Sequence, residues 1–252
     1  MSSFDLAGRV VAVTGGSSGV GLSCARLATR SGASVVLLAR DPDKLAKARA
    51  TLGDAAWAIP TDLGDPSAVR AAFDQIADRH AKLDGLLNVA GYMAVQRVET
   101  ASDAVIAHAV GTNFLGAVYT TRAAIPLLRA AGGGDIVNVS SEVTLDDLPL
   151  ASLYSSTKAA LESFSASMVG ELRPDGIRVV LARIGHTDTP ISGTLNAAAR
   201  EEAVPLWRAN GYMTRVAGGE AMDPDDVAEC ILYAISRPRS QMLDVIQIRA
   251  AR

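Results

Sequence analysis

Three observations predict an α/β fold, with a parallel sheet that carries helices on both faces. Short β-branched runs alternate with longer helical patterns, the order expected of βαβ units. The first strand passes straight into a helix through the glycine-rich turn "TGGSSGVG". No linker, internal repeat or low-complexity stretch interrupts the series, and 252 residues suit one α/β domain.

Taken in order, the predicted strands are Arg9–Val13, Ser34–Ala39, Ala55–Pro60, Asp84–Val89, Asp135–Ser140, Ile177–Ala182 and Val245–Ile248. Each is a short Val-, Ile- or Leu-rich run that ends at a turn-forming residue or a helix start. The predicted helices are Val20–Ser31, Pro42–Leu52, Pro66–His80, Ser102–Ala131, Leu153–Leu172 and Asp225–Ser236. Pro66 and Pro224 suit first turns, with Asp65 and Asp223 as caps, because proline lacks only an N–H that a first turn leaves unpaired. The glycines Gly132–Gly134 and the run Arg173–Gly176 stop the helices before them. The stretch 191–219 breaks the rhythm, and a mobile lid over the carboxyl ends of the strands is expected there.

The chain is 49% hydrophobic and 4% aromatic, with a formal charge of -3, which indicates neither disorder nor a nucleic-acid footprint. Small molecules and copies of itself are the expected partners. Cys24 and Cys230 fall in predicted helices without metal-ligand spacing, so they read as structural thiols, and no metal is expected. A basic segment followed by a long apolar one is missing at the start, and no run of eighteen or more apolar residues occurs, so a cytoplasmic protein is expected.

The turn at Thr14, Gly15, Gly19 and Gly21 has the mechanics of a phosphate cradle. Glycines allow close backbone approach, and the helix start offers free N–H groups to a pyrophosphate. At the end of the second strand, where a carboxylate would hold the ribose 2′-hydroxyl of NAD, stand Ala39 and Arg40. A guanidinium clamps a 2′-phosphate in bidentate fashion, so NADP is favoured over NAD, with an Arg40–Asp41 surface pair as the plain structural reading.

In "YSSTK", Tyr154 and Lys158 lie four residues apart on one helix face. A free phenol titrates at about 10, and a nearby ammonium lowers that value, which would suit Tyr154 to proton transfer at neutral pH.

Five blocks in order resemble the classical short-chain dehydrogenase/reductase family: Thr14–Gly21, Asp62, "NVAG" at Asn88–Gly91, Asn113, and Ser141 with Tyr154–Lys158. The resemblance covers essentially the whole chain and implies a Rossmann-like, doubly wound parallel sheet of seven strands in a single domain, assembled as a homotetramer or dimer through the two long helices. It implies a catalytic tetrad of Asn113, Ser141, Tyr154 and Lys158. Tyr154 is then the acid or base, Lys158 tunes it and binds the nicotinamide ribose, Ser141 holds the substrate oxygen, and Asn113 fixes a water toward Lys158. Ser140 serves to end the strand. The implied NADP(H) contacts are Gly15, Ser17, Ser18, Gly19, Val20, Gly21, Arg40, Asp62, Leu63, Asn88, Ala90, Gly91, Tyr154, Lys158, Gly185, Thr187 and Thr189. Asp62 is expected by the adenine, Asn88 as a brace of the sheet near the cofactor, and Thr189 at the nicotinamide carboxamide. Two positions depart from the family pattern: Val89 replaces a second Asn, and Ile184 replaces the Pro before Gly185, which leaves that turn less rigid.

Candidate pocket walls are Tyr92, Met93, Val143, Thr144, Leu148, His186, Trp207, Tyr212 and Met213. The loop after Ser141 carries Glu142, Asp146 and Asp147 and reads as solvated; facing the pocket, these acids would disfavour carboxylate substrates. The chain's end and "GHTDTP" resemble the subgroup of NADP-dependent 3-hydroxy acid dehydrogenases and clavulanic acid dehydrogenase, which points the other way. The leading reading is a carbonyl reductase or alcohol dehydrogenase that interconverts a ketone or aldehyde with its alcohol. A non-catalytic NADP(H) sensor, or a dehydratase or epimerase on the same scaffold, stays open.

Overall fold

In the computed structural model, which describes residues 4–146, 148–191, 197–215 and 221–251, seven parallel strands form one sheet in the order β3-β2-β1-β4-β5-β6-β7. They are β1 Val10–Thr14, β2 Ser34–Ala39, β3 Ala56–Pro60, β4 Gly85–Asn88, β5 Gly134–Ser141, β6 Ile177–Ile184 and β7 Val245–Ile248. The reversal of strand order between β1 and β4 opens a crevice at the carboxyl ends, where doubly wound sheets bind their ligands.

Helices α1 Gly19–Arg30, α2 Pro42–Leu52 and α3 Pro66–His80 connect the first four strands. The caps foreseen at Asp65 and Asp223 form: Asp65 accepts from the Ser67 N–H at 2.7 Å and Asp223 from the Asp225 N–H at 2.8 Å. Asp41 caps α2 in the same way, accepting from the N–H groups of Asp43 and Lys44. The expected helix over 102–131 is instead α4 Asp103–Val110, a wider turn of π type over Gly111–Leu115, and α5 Gly116–Ala130. Gly116 lets this turn sit on the loop after β3: a Cβ there would lie 2.9 Å from the Leu63 Cβ. The widened turn carries Asn113, in keeping with the concentration of such turns at functional sites.

After β5 comes α6 Ser152–Leu172; α7 Ala197–Ala209 and α8 Tyr212–Arg215 follow β6, and α9 Pro224–Ser236 precedes β7. The segment expected as a mobile lid is therefore helical where it is described, while residues 192–196 and 216–220 lie outside the described residues. Its anchor is apolar: Ala203 and Trp207 are buried in one cluster with Val143, Leu148 and Tyr154, and the Trp207 indole donates to the Pro149 carbonyl at 2.8 Å.

Alternate residues of each strand face opposite layers. Val11, Val13, Leu37, Val137, Val139 and Ala182 pack with residues of α1 and α9. Ala12, Val36, Leu38, Leu86, Ile136 and Val179 pack with residues of α3, α5 and α6. Cys24 and Cys230 are free thiols on α1 and α9, and burial pushes the Cys24 thiol far up. No helix among the described residues is long and apolar enough to cross a membrane.

At the other end of the sheet a buried ion network ties three strands to the chain after α9. Asp135, fully buried, accepts from the Arg178 Nε at 2.6 Å and lies 3.6 Å from Arg9, while Arg178 Nη1 donates to the carbonyls of Arg237, Pro238 and Gln241. Removing the carboxylate would strand a buried guanidinium. Asp135→Ala is therefore expected to lower the unfolding free energy by roughly 3–5 kcal/mol in urea titrations; a loss below about 1 kcal/mol would contradict this account.

Candidate active site

Thr14, the last residue of β1, accepts at its hydroxyl from the N–H groups of Val89 and Ala90 at 3.0 and 3.2 Å. The first turn is thereby tied to the turn after β4. Gly15 has φ +68, and a Cβ on it would lie 2.9 Å from the Ala90 Cα; a Cβ on Gly21 would lie 2.3 Å from the Gly15 carbonyl oxygen. Only glycine fits either place. Ser18, at the N-cap of α1, makes no capping bond with its side chain, so Ser17, Ser18, Gly19 and the backbone of the buried Val20 form a helix start open to an anion. Thr189 closes this cradle from the β6 side, where a Cβ on Gly19 would lie 3.2 Å from it. A cradle kept clear of Cβ atoms at a helix N-terminus fits the pyrophosphate of a dinucleotide.

Arg40 is exposed at the end of β2, and among the described residues no carboxylate lies within ion-pair reach of it. The Asp41 carboxylate is instead engaged in capping α2 and lies 3.8 Å from Lys44. Asp62 is exposed and accepts from the Gly64 N–H at 2.9 Å, whereas the Leu63 side chain enters the core and leaves only its backbone to face a ligand. His108 joins this corner unannounced by any sequence motif. Burial and then the Arg40 charge push its pKa down, Asp62 acts in the opposite direction, and its ring packs on Tyr92 at 4.6 Å.

Asn88 is a brace. Its amide donates to the Asn138 Oδ1 at 2.8 Å and to Thr121 at 3.3 Å, and its oxygen accepts from Thr120 at 2.7 Å. With the side chain turned inside, contact with a nucleotide is left to its backbone. Val89 needs no side-chain bond here, because Thr14 holds its N–H.

Ser141 ends β5, and Tyr154 and Lys158 come from successive turns of α6. Lys158 Nζ donates to the Val139 carbonyl at 2.8 Å and lies 5.9 Å from the centroid of the Tyr154 ring. Burial lowers the Lys158 pKa to about 8. The expected lowering of the Tyr154 pKa by this ammonium is not what the structure gives. Burial raises the phenol, and Ser141, facing it as a hydrogen-bond partner, only partly offsets the rise.

Asn113 stands beside Lys158: a Cβ on Gly91 would lie 3.8 Å from both the Asn113 Oδ1 and the Lys158 Nζ. Its side chain is already engaged, however. The oxygen accepts from the Tyr92 N–H at 2.7 Å, and the amide donates to the Tyr92 carbonyl and the Thr157 hydroxyl at 2.9 and 3.0 Å. Through these bonds Asn113 pins the chain after Gly91 to α6.

Thr187 is also turned inward, donating to the Gly185 carbonyl at 2.9 Å. The turn before it is not loosened by Ile184: this residue extends β6 to pair with Ile248, whose carbonyl accepts from the Gly185 N–H at 2.8 Å. Of the expected pocket walls, Met93, Val143, Leu148, Trp207, Tyr212 and Met213 do gather with Tyr154. Thr144 is drawn instead to Glu162, Tyr92 lies against His108, and His186 is exposed.

Two acids differ from expectation. Glu142, read as part of a solvated loop, is buried at 7% exposure, while Asp146 is half-buried and Asp147 lies outside the described residues. Burial pushes the Glu142 carboxyl up, against the opposing charge of Arg249. Glu162 drew no attention in the sequence, although it lies four residues after Lys158. Its oxygens accept from Ser140 at 2.7 Å, Thr144 at 2.8 Å, and Arg183 at 3.0 and 2.6 Å. Burial alone would raise this carboxyl, but the donors together hold it below its usual range.

A glycine-lined helix start at the switch point of a doubly wound parallel sheet, beside a serine and a tyrosine–lysine pair, defines a Rossmann-like oxidoreductase. The chain belongs to the short chain dehydrogenase family, whose model matches residues 9–200. It is 27% identical over 245 residues to an uncharacterised oxidoreductase of Staphylococcus aureus (strain MRSA252), with 97% of this chain and 98% of that one covered. Among solved structures it resembles L-sorbose reductase from Gluconobacter frateurii complexed with NADPH and L-sorbose, at 26% identity, TM-score 0.85 and coverage of 98% and 97%. It also resembles 3-ketoacyl-(acyl-carrier-protein) reductase from Brucella melitensis complexed with NADH, at 28% identity, TM-score 0.82 and coverage of 97% of each chain.

Lys158 titrates lower in the folded chain, at about 8, than at its ordinary value of 10.5. Between these values the unfolded chain holds the extra proton, so this group's contribution to stability rises with pH. The unfolding free energy of the wild type minus that of Lys158→Met should rise by on the order of 2 kcal/mol across this window. A flat difference would mean that the ammonium is not desolvated.

Proposed function

We propose that the chain is an NADP(H)-dependent carbonyl reductase or alcohol dehydrogenase that interconverts a ketone or aldehyde with its alcohol. The observation that supports this most directly is the convergence of Ser141, Tyr154 and Lys158 at the carboxyl ends of the strands, next to the glycine cradle. When bound, the nicotinamide dinucleotide supplies or takes up the hydride. The cradle Gly15–Gly21 would hold its pyrophosphate, and Lys158, Ala90, Gly91, Gly185 and Thr189 would border its nicotinamide half.

In the direction of reduction, Ser141 holds the carbonyl oxygen by a hydrogen bond, and the Tyr154 hydroxyl gives that oxygen its proton as hydride reaches the carbon. A phenol kept protonated by burial is already in the form that an acid requires. Lys158, fixed by the Val139 carbonyl, stabilises the phenolate left behind, and Asn113 positions the chain that borders this space. The helices α7 and α8 act as the lid, with Trp207 and Tyr212 covering the Tyr154 side and keeping water out. Self-association, as homotetramer or dimer, belongs to the same reading.

NADP is preferred because Arg40 stands exposed at the end of β2 with its neighbouring acid engaged elsewhere. The two solved relatives hold NADPH and NADH respectively, so the choice rests on this corner and not on the fold.

Tyr154→Phe should still bind NADPH in a fluorescence titration while its ketone-dependent NADPH oxidation drops by roughly a hundredfold or more. Retained turnover would remove the tyrosine from its role. For Arg40→Asp, the ratio of NADP to NAD affinity should fall by roughly tenfold to a hundredfold; an unchanged ratio would assign selectivity to other residues.

A further inference from the structure

Glu142 is a carboxylate held by one loose ion pair, with no short hydrogen bond among the described residues. Its side chain is 9% exposed and lies over Gly185, where a Cβ would come within 2.8 Å of Oε1. Its one charged neighbour within ion-pair reach among the described residues is Arg249, at 3.8 Å, beyond hydrogen-bond length, and that guanidinium is itself 55% exposed. No described donor bonds either Glu142 oxygen. Glu162 provides the contrast: although its side chain is more exposed, at 17%, it takes four bonds from three side chains. Neither Glu142 oxygen is among the fully buried polar atoms left without a partner, so the carboxylate keeps an edge open on which a further donor could sit.

Its place borders the proposed reaction. Glu142 directly follows Ser141, and the Tyr212 phenol of α8 feels both the Glu142 carboxyl and Tyr154. Burial first, then those two groups and Asp146, push Tyr212 up to about 12. Tyr212 belongs to the same apolar cluster as Tyr154, Val143 and Trp207. Arg249 supplies Glu142 with a countercharge but no short bond, so a neutral donor suffices to complete its coordination and a carboxylate in that place is repelled.

We propose that Glu142 is a specificity-determining residue that accepts a hydrogen bond from a hydroxyl on the carbon next to the reacting carbonyl, which makes neutral hydroxylated ketones and the corresponding vicinal diols the substrate class. The proposal rests on the reductase reading above. Ser141 would set where the carbonyl oxygen sits, and Glu142, which lies over Gly185 and acts on Tyr212 beside Tyr154, stands on the side from which a hydroxyl on the neighbouring carbon would reach it. Gly185 acquires a second requirement, because any side chain there would occupy the space of the carboxylate.

The test compares hydroxyacetone with acetone as substrates for NADPH oxidation. Propylene glycol and isopropanol serve as the matching ligands of the NADP-loaded protein, read by saturation-transfer NMR without turnover. The wild type should favour the hydroxylated member of each pair by roughly tenfold or more, the strength of one hydrogen bond to a charged group. Glu142→Gln should weaken that ratio and Glu142→Ala should bring it near one, with NADPH fluorescence titration confirming that each variant is folded. A wild type without preference, or a ratio that survives in Glu142→Ala, overturns the proposal. If neither ketone oxidises NADPH, the reductase reading fails, and the diol ratio alone still decides the role of Glu142.

Discussion

The carboxylate of Glu162 is the constraint on which the end of the sheet that carries the candidate site depends. From one turn of α6 it gathers Ser140 at the end of β5, Thr144 in the turn beyond, and Arg183 near the end of β6. Ser141 lies inside that gathered segment, and Lys158 and Tyr154 lie one and two turns earlier on the same helix. The relative placement of serine, tyrosine and lysine thus follows from a single bonded acid. Burial would make such an acid a liability, and the four charge-assisted or hydroxyl bonds offset it, as its lowered pKa records.

The same economy of small polar brackets recurs across the crevice. Thr14 holds the chain after β4 to β1, Asn88 ties β4 to β5 and α5, and Asn113 ties the segment after Gly91 to α6. Each bracket is buried and satisfied, so each converts a backbone turn into a rigid wall. Rigid walls allow glycines to define the open space: where Gly15 and Gly21 touch backbone, no side chain is tolerated, and the cradle keeps its shape without a ligand to impose it. The opposite end of the sheet is held by a different device, the Asp135–Arg178 pair, which leaves the carboxyl end free to carry polar groups that do not serve stability.

Against that background three groups whose titration burial displaces stand out. Lys158 has one carbonyl partner and a pKa lowered to about 8 by burial, Tyr154 is raised by burial, and Glu142 is raised with only a distant countercharge. Tyr154 packs with residues of α7 and α8, and Glu142 acts on Tyr212 of α8. Groups that burial has displaced from their ordinary titration, clustered beside a ligand cradle, are characteristic of sites that handle protons and polar substrates.

The sequence by itself determined the order of strands and helices, the caps at Asp65 and Asp223, the glycine turn at the start of α1 and the placing of Tyr154 and Lys158 on one helix. These depend on short-range rules: two- and four-residue periodicity, proline and glycine sterics, and side-chain reach within a turn. Its motifs also sufficed to point to the family. Only the tertiary structure decided that residues 102–131 carry a wide turn under Asn113, that the described part of 191–219 carries α7 and α8, and that burial overrides the ammonium in setting the direction of the Tyr154 shift. It also separated two glutamates that look alike on the page, Glu162 with its bonds from Ser140, Thr144 and Arg183, and Glu142 with none of that kind. The reason is physical: desolvation and hydrogen-bond satisfaction depend on which distant residues the fold brings together, and no local pattern along the chain encodes that sum.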